Sequence, residues 1–205
     1  AIAEIKKLTN KPFAINLRAS DTKWPQLRVA IEEKVAVAYI SLVKPEIPVV
    51  KAMHDAGMKV ISIGTTAKHA KAAEQAGVDV FICTGYDAGG HSPGHGDTTL
   101  FTELPQVVDA VKIPVLGGCG VGDARGFVAA LALGAEGIAM GTRFAASKEC
   151  RWSEKAKRTL VELGDGQTVA WGKKEGRGLG RTLKNKFTDK YLEMEMNGAT
   201  AQELA

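Results

Sequence analysis

Residues 86–97 read YDAGGHSPGHGD, and His91 and His95 within them are the side chains best suited to moving a proton near neutral pH. Two histidines at i, i+4 grip a metal ion when a helix carries them. Pro93 and Gly94 between these two forbid that helix, and only Asp97 is near as a third ligand, so no metal site is expected. His91 follows three small residues, Ala88-Gly89-Gly90, which let the backbone come close to a flat ligand with the imidazole beside it. The residues leave two readings of His91, an acid–base group next to a ligand or a polar residue of a surface loop. His95 reads as loop decoration. The density of glycine and proline excludes the interior of a helix or strand, so the whole stretch is expected to be a loop.

A second stretch, PVLGGCGVGDARGFVAALALGAEGIAMGTRF (114–144), carries a different chemistry. A strand runs into Gly117-Gly118-Cys119-Gly120-Val121-Gly122, a helix begins at Asp123, and a following strand ends at Met140-Gly141-Thr142. Backbone free of side chains at such a place can turn its N–H groups onto an anion such as a phosphate. Glycines also simply permit tight turns; that two consecutive strand ends carry them favours the phosphate cradle. Cys83 and Cys119 sit at strand or loop ends with no feature that would depress a thiol pKa, so neither reads as a nucleophile. His54 and His69 fall within helical stretches and read as surface residues, and Arg143 as a solvent or ion-pair residue.

These stretches need elements to hold them. PFAINL (12–17), VAVAYISL (35–42), MKVISI (58–63), VDVFIC (78–83), IPVLG (113–117) and EGIAM (136–140) read as strands. Between them lie helical stretches at 24–34, 45–56, 66–76, 103–112 and 123–133, with Thr65 or Thr66 and Asp123 as caps and Gly57, Gly77 and Gly134 as stops. The strand ends are 25, 21, 20, 33 and 24 residues apart, close to one β/α unit each. Such alternation gives a doubly wound sheet or a (β/α)8 barrel, and both place their sites at the carboxyl ends of the strands. The longest step contains the histidine loop, which therefore projects from such an end. Residues 1–150 are expected to hold the barrel portion, and residues 151–205, charged and helical in pattern, the last barrel helix and a helical extension. Six strands do not close an eight-stranded barrel.

The balance of charge is mild, +4 over 205 residues, with basic and acidic residues mixed, which argues against a nucleic-acid footprint. Three cysteines without a CxxC pair argue against a disulfide framework and fit a reducing, cytoplasmic setting. No apolar run approaches the ~18 residues of a membrane helix, and the first residues, AIAEIKKLTNK, are not signal-like.

GYDAGGH followed by IPVLGGCGVGDARGFVAALALGAEGIAMGTRF resembles the nitronate monooxygenase family, formerly called 2-nitropropane dioxygenases, whose close relatives are the FMN-dependent enoyl-acyl-carrier-protein reductases. The resemblance runs from about residue 1 to 190, including PFAINL and GRTLKNKFTDKY. It implies a (β/α)8 barrel binding FMN, with a histidine that takes the α-proton of a nitroalkane falling on His91. It places FMN contacts on Asn16, Thr84, Gly89, Gly120 and the run Ala139, Met140, Gly141 and Thr142. It implies O2 as co-substrate, or NAD(P)H for a reductase of enoyl thioesters or quinones. Thr84 stands where the family often has Gln, Asp87 where it has Glu, and Cys119 replaces the first glycine of a Gly-Gly pair. The family begins with two further β/α units that this chain does not match, so the expected fold is a TIM-type α/β barrel lacking them. A shortened barrel would leave sheet edges for a partner or second copy to cover, and a non-catalytic flavin- or phosphate-binding remnant is the alternative reading.

Overall fold

A computed structural model describes residues 1–18, 22–92, 97–172, 179–200 and 202–204. Helix α1 (Ile2–Leu8) precedes a run of alternating units: β1 (Ala14–Leu17), α2 (Pro25–Glu32), β2 (Val37–Ile40), α3 (Ile47–Asp55), β3 (Lys59–Gly64), α4 (Ala67–Gln75) and β4 (Val80–Cys83). Next come β5 (Gly90–Ser92), α5 (Leu100–Val108), β6 (Val115–Gly117), α6 (Ala124–Ala132), β7 (Gly137–Ile138) and α7 (Thr142–Ala145). The chain continues through α8 (Glu154–Glu162), β8 (Thr168–Trp171), β9 (Leu179–Leu183) and α9 (Lys186–Met196). His95 lies outside the described residues.

Six strands form one parallel sheet in the order β1-β2-β3-β4-β6-β7. These are the six expected from the sequence, their ends shifted by a residue or two, and the arrangement is the strand–helix alternation of a TIM-type barrel. One face is dry: Ala38, Ile40, Val60 and Phe81 are buried on it among Leu27, Val49, Met53, Ala73 and Leu104 of the helices. The opposite face carries the other members of each alternating pair. Tyr39 and Ile61, paired across β2 and β3, are only half-buried there. Desolvation still raises the Tyr39 phenol above its ordinary value.

The local signals work as their chemistry requires. Thr66 caps α4, its hydroxyl accepting from His69 N–H, and Asp123 caps α6, accepting from Arg125 N–H. Gly77, just past α4, has φ +90, a left-handed conformation that strains other residues, so a glycine ends the helix there.

Two expectations are corrected. Gly90–Ser92, read as loop, is strand β5, and residues 151–205, read as helical, contain β8 and β9 between α8 and α9. Together they form a second, antiparallel sheet in the order β5-β9-β8. A three-residue segment is too short to show a period of its own. It becomes a strand because β9 supplies its ladder partners from far along the chain. Among the described residues no helix is long and apolar enough to cross a membrane.

Candidate functional site

Parallel pairing puts all six carboxyl strand ends on one rim, and the residues singled out from the sequence lie along it at four of the six strands. Asn16 is near the end of the edge strand β1, exposed, its Oδ1 accepting from the Ser41 hydroxyl at 3.0 Å. It stands three strands away from β4, so the sheet brings it onto the rim but not against the histidine segment. Thr84 directly follows β4 and is buried. Its N–H donates to the Gly64 carbonyl at 2.8 Å, and its hydroxyl points at the same oxygen.

The β4, β6 and β7 ends are laced together by backbone. Gly118 N–H donates to Cys83 O at 2.7 Å and Ala139 N–H to Gly117 O at 2.8 Å. A Cβ on Gly118 would strike Ile82 and Thr84, so this close approach requires glycine. Gly122 and Gly141 instead have open space where a Cβ would stand. Gly120 and Gly141 are exposed, and among the described residues their N–H groups meet no acceptor. Met140 lies between Ala139 and Gly141 and is half-buried. A Cβ on Gly89 would come within 3.3 Å of Thr142 Oγ1, so the histidine segment and the β7 end meet.

Asp87 ties these pieces to a helix. Its Oδ1 accepts from Leu100 N–H at 3.0 Å, at the start of α5, whose own N-cap residue Thr99 makes no side-chain cap. The Cys119 thiol donates to the same oxygen at 3.5 Å and accepts from Gly85 N–H at 3.0 Å. The other carboxylate oxygen lies where a Cβ on Gly120 would be. Burial pushes the Cys119 thiol up to about 12; Gly85 N–H works against the shift and the Asp87 charge adds to it. Cys83 is likewise at about 12, through burial first and then the charges of Glu103 and Asp87. Both are held as neutral thiols, in keeping with the sequence reading that neither is a nucleophile. At the foot of α6 the Arg125 side chain holds the Asp123 carboxyl down to about 2.

His91 sits in β5, exposed, directly after Gly90, whose φ of +77 turns the strand. Its ring meets Trp171 of β8 edge to face, with centroids 5.9 Å apart, and Trp171 meets Tyr191 of α9 at 5.2 Å. Arg181 of β9 lies over the Tyr86 ring at 4.8 Å, its guanidinium donating to Tyr86 O at 3.3 and 3.4 Å and to the Thr168 hydroxyl at 3.1 Å. These aromatic and arginine neighbours of His91 escaped the sequence reading. TVAW (168–171), a β-branched and aromatic run, was the available signal, hidden between two strongly helical stretches.

The sequence profile of the nitronate monooxygenase family matches residues 20–204. The chain is 40% identical over 177 residues to a (3aS,4S,5R,7aS)-5-hydroxy-7a-methyl-1-oxo-octahydro-1H-indene-4-carboxyl-CoA dehydrogenase of Rhodococcus jostii, covering 86% of this chain and 49% of the relative. It is 30% identical over 207 residues to a protein of Staphylococcus aureus named "Probable nitronate monooxygenase", covering 90% and 56%. Among solved structures, FabK from Thermotoga maritima superposes with a TM-score of 0.87 at 36% identity, over 97% of this chain and 62% of that one. A nitroalkane oxidase from Streptomyces ansochromogenes gives 0.80 at 26%, over 93% and 66%. The chain thus spans about half the length of the curated relatives it matches.

Proposed function

This chain belongs to the nitronate monooxygenase family, and from that premise we propose that the whole protein is an FMN-dependent oxidoreductase oxidising nitroalkanes or their nitronates, with His91 as the base. The observation that carries the reading is the meeting of the histidine segment with the β7 end, Gly89 against Thr142, on a rim where the exposed Gly120 and Gly141 have N–H groups with no acceptor among the described residues. The residues present fit a flavin nucleotide. Amides at Gly120, Gly141 and Thr142 would take its phosphate, with Ala139 and Met140 beside them. Because Asp123 already caps α6, the cradle in this reading is the loop backbone rather than the end of that helix. Thr84, Gly89 and Asn16 would border the ring. When bound, FMN would accept electrons from the substrate anion and deliver them to O2.

The chain's own part is proton transfer and placement. An unprotonated ring nitrogen of His91 takes the proton from the carbon bearing the nitro group. Gly90, directly before His91, has open space where a Cβ would stand. Replacing His91 with Ala should leave FMN uptake intact, read as the flavin absorbance bands of protein mixed with FMN and desalted. It should also leave oxidation of a preformed nitronate intact, while turnover of the neutral nitroalkane falls roughly 10²- to 10⁴-fold. Unchanged turnover of the neutral substrate defeats the base assignment.

One observation favours a second reading. The relative at 40% identity is named for a carboxyl-CoA substrate, so a flavin enzyme acting on a thioester, with NAD(P)H as the other substrate in a reductase, is the competitor. Oxidation of NAD(P)H dependent on an enoyl thioester, without nitronate-dependent O2 uptake, decides for it.

A further inference from the structure

We propose that Trp171 is a positioning residue for the His91 imidazole, and that Gly180 is the gap through which it reaches. The inference rests on the reading of His91 as the base. In the antiparallel sheet β9 is central, and Gly180 stands directly opposite His91 on one side and Trp171 on the other. Directly opposed residues project from the same face, so His91, Gly180 and Trp171 form one row across three strands. Neighbouring strands lie about 4.8 Å apart, which separates the outer two members by about twice that at the backbone. Their ring centroids are nevertheless 5.9 Å apart. The indole closes the distance by lying over Gly180: a Cβ there would stand 2.5 Å from Trp171 Cε2 and 2.6 Å from Cζ2.

The indole is itself fixed from the far side, where Tyr191, buried on α9, meets it at 5.2 Å with planes inclined 67°. Its Nε1–H is buried without a hydrogen-bond partner among the described residues. A buried indole N–H ordinarily finds an acceptor, so ring packing rather than a hydrogen bond sets the place of this one. His91 is exposed, and among the described residues no side chain hydrogen-bonds its ring. An exposed imidazole samples many orientations, whereas a base works from one in which its nitrogen meets the proton. The edge-to-face contact narrows that choice before substrate arrives and covers one side of the ring.

The test compares Trp171→Leu, Trp171→Phe and Gly180→Ala. The last displaces the indole while keeping it in the protein, and Gly180 has no positive φ that alanine would strain. The first readout is the NMR shift of the His91 ring protons in protein without flavin, identified with His91→Asn, because an adjacent indole shifts them by its ring current. The second is kcat and KM for a neutral nitroalkane. Leu and the Gly180 variant should both move the His91 resonances and lower kcat roughly 2- to 10-fold, with KM and oxidation of preformed nitronate unchanged. Phe should restore most of both. Unmoved resonances in Trp171→Leu, or moved resonances with unchanged kcat, overturn the positioning role alone. Full turnover of the neutral nitroalkane in His91→Ala overturns the base reading, and the positioning role with it.

Discussion

Asp87 caps α5 from a distance: its Oδ1 takes the Leu100 N–H at 3.0 Å, while Thr99, the residue in the cap position, makes no cap hydrogen bond. In Asp87→Ala the Leu100 N–H, on a residue that is fully buried, loses its acceptor. A missing helix cap costs about 1 kcal/mol, and a buried donor left unpaired costs about 1–3 kcal/mol, the two overlapping because they describe the same N–H. The carboxylate also faces the positive end of the helix, worth roughly 0.3–1 kcal/mol when partly exposed. The expected loss is therefore about 2–3 kcal/mol. Asp87→Asn keeps an acceptor and forfeits only the charge, so it should lose about 0.5–1 kcal/mol. Urea denaturation followed by circular dichroism reads this as a midpoint about 1 M lower for Ala, with the slope unchanged. A loss under about 0.5 kcal/mol in Asp87→Ala, or equal losses in Ala and Asn, refutes the capping argument.

Two further outcomes follow from the titratable groups. Burial alone would raise Asp79, but Lys59 at 2.7 Å, Val60 N–H at 2.8 Å and His54 at 2.8 Å together hold it below its ordinary value. Its folded pKa being the lower one, the network stabilises the fold above the ordinary carboxylate pKa and loses that effect as pH falls through the lowered value. The melting-temperature gap between wild type and Asp79→Asn should therefore shrink as pH falls from above the ordinary carboxylate pKa through the lowered one, and a constant gap contradicts the network. With Cys83 and Cys119 buried and held near 12, a thiol reagent at about pH 8 should label the half-buried Cys150 first, as read by peptide mass spectrometry. Equal labelling of all three rejects this.

Much of the parallel sheet was legible because its signals are local. Several helix ends are decided within a turn by a hydroxyl, a carboxylate or a glycine, as at Thr66, Asp123 and Gly77. The strands are apolar runs of ordinary length between them. The glycines of 117–122 and 141 read from the sequence as a phosphate cradle or as tight turns, and the structure divides them: Gly118 is required by the packing of Ile82 and Thr84, whereas Gly122 and Gly141 border open space.

What the sequence by itself determined is the order of β/α units and the rim on which Asn16, Thr84, Gly89, Gly120 and Ala139 to Thr142 fall, since parallel units force all carboxyl ends to one side. Only the tertiary structure decided what surrounds His91. Gly90–Ser92 is a strand because β9 pairs with it, Arg181 reaches the carbonyl of Tyr86 across 95 positions, and Trp171 crosses Gly180 to reach the imidazole. A period of two or of 3.6 residues carries information only within its own element. A ladder between residues 90 and 181 is set when the chain closes a long loop and finds partners there, and no local pattern encodes that meeting.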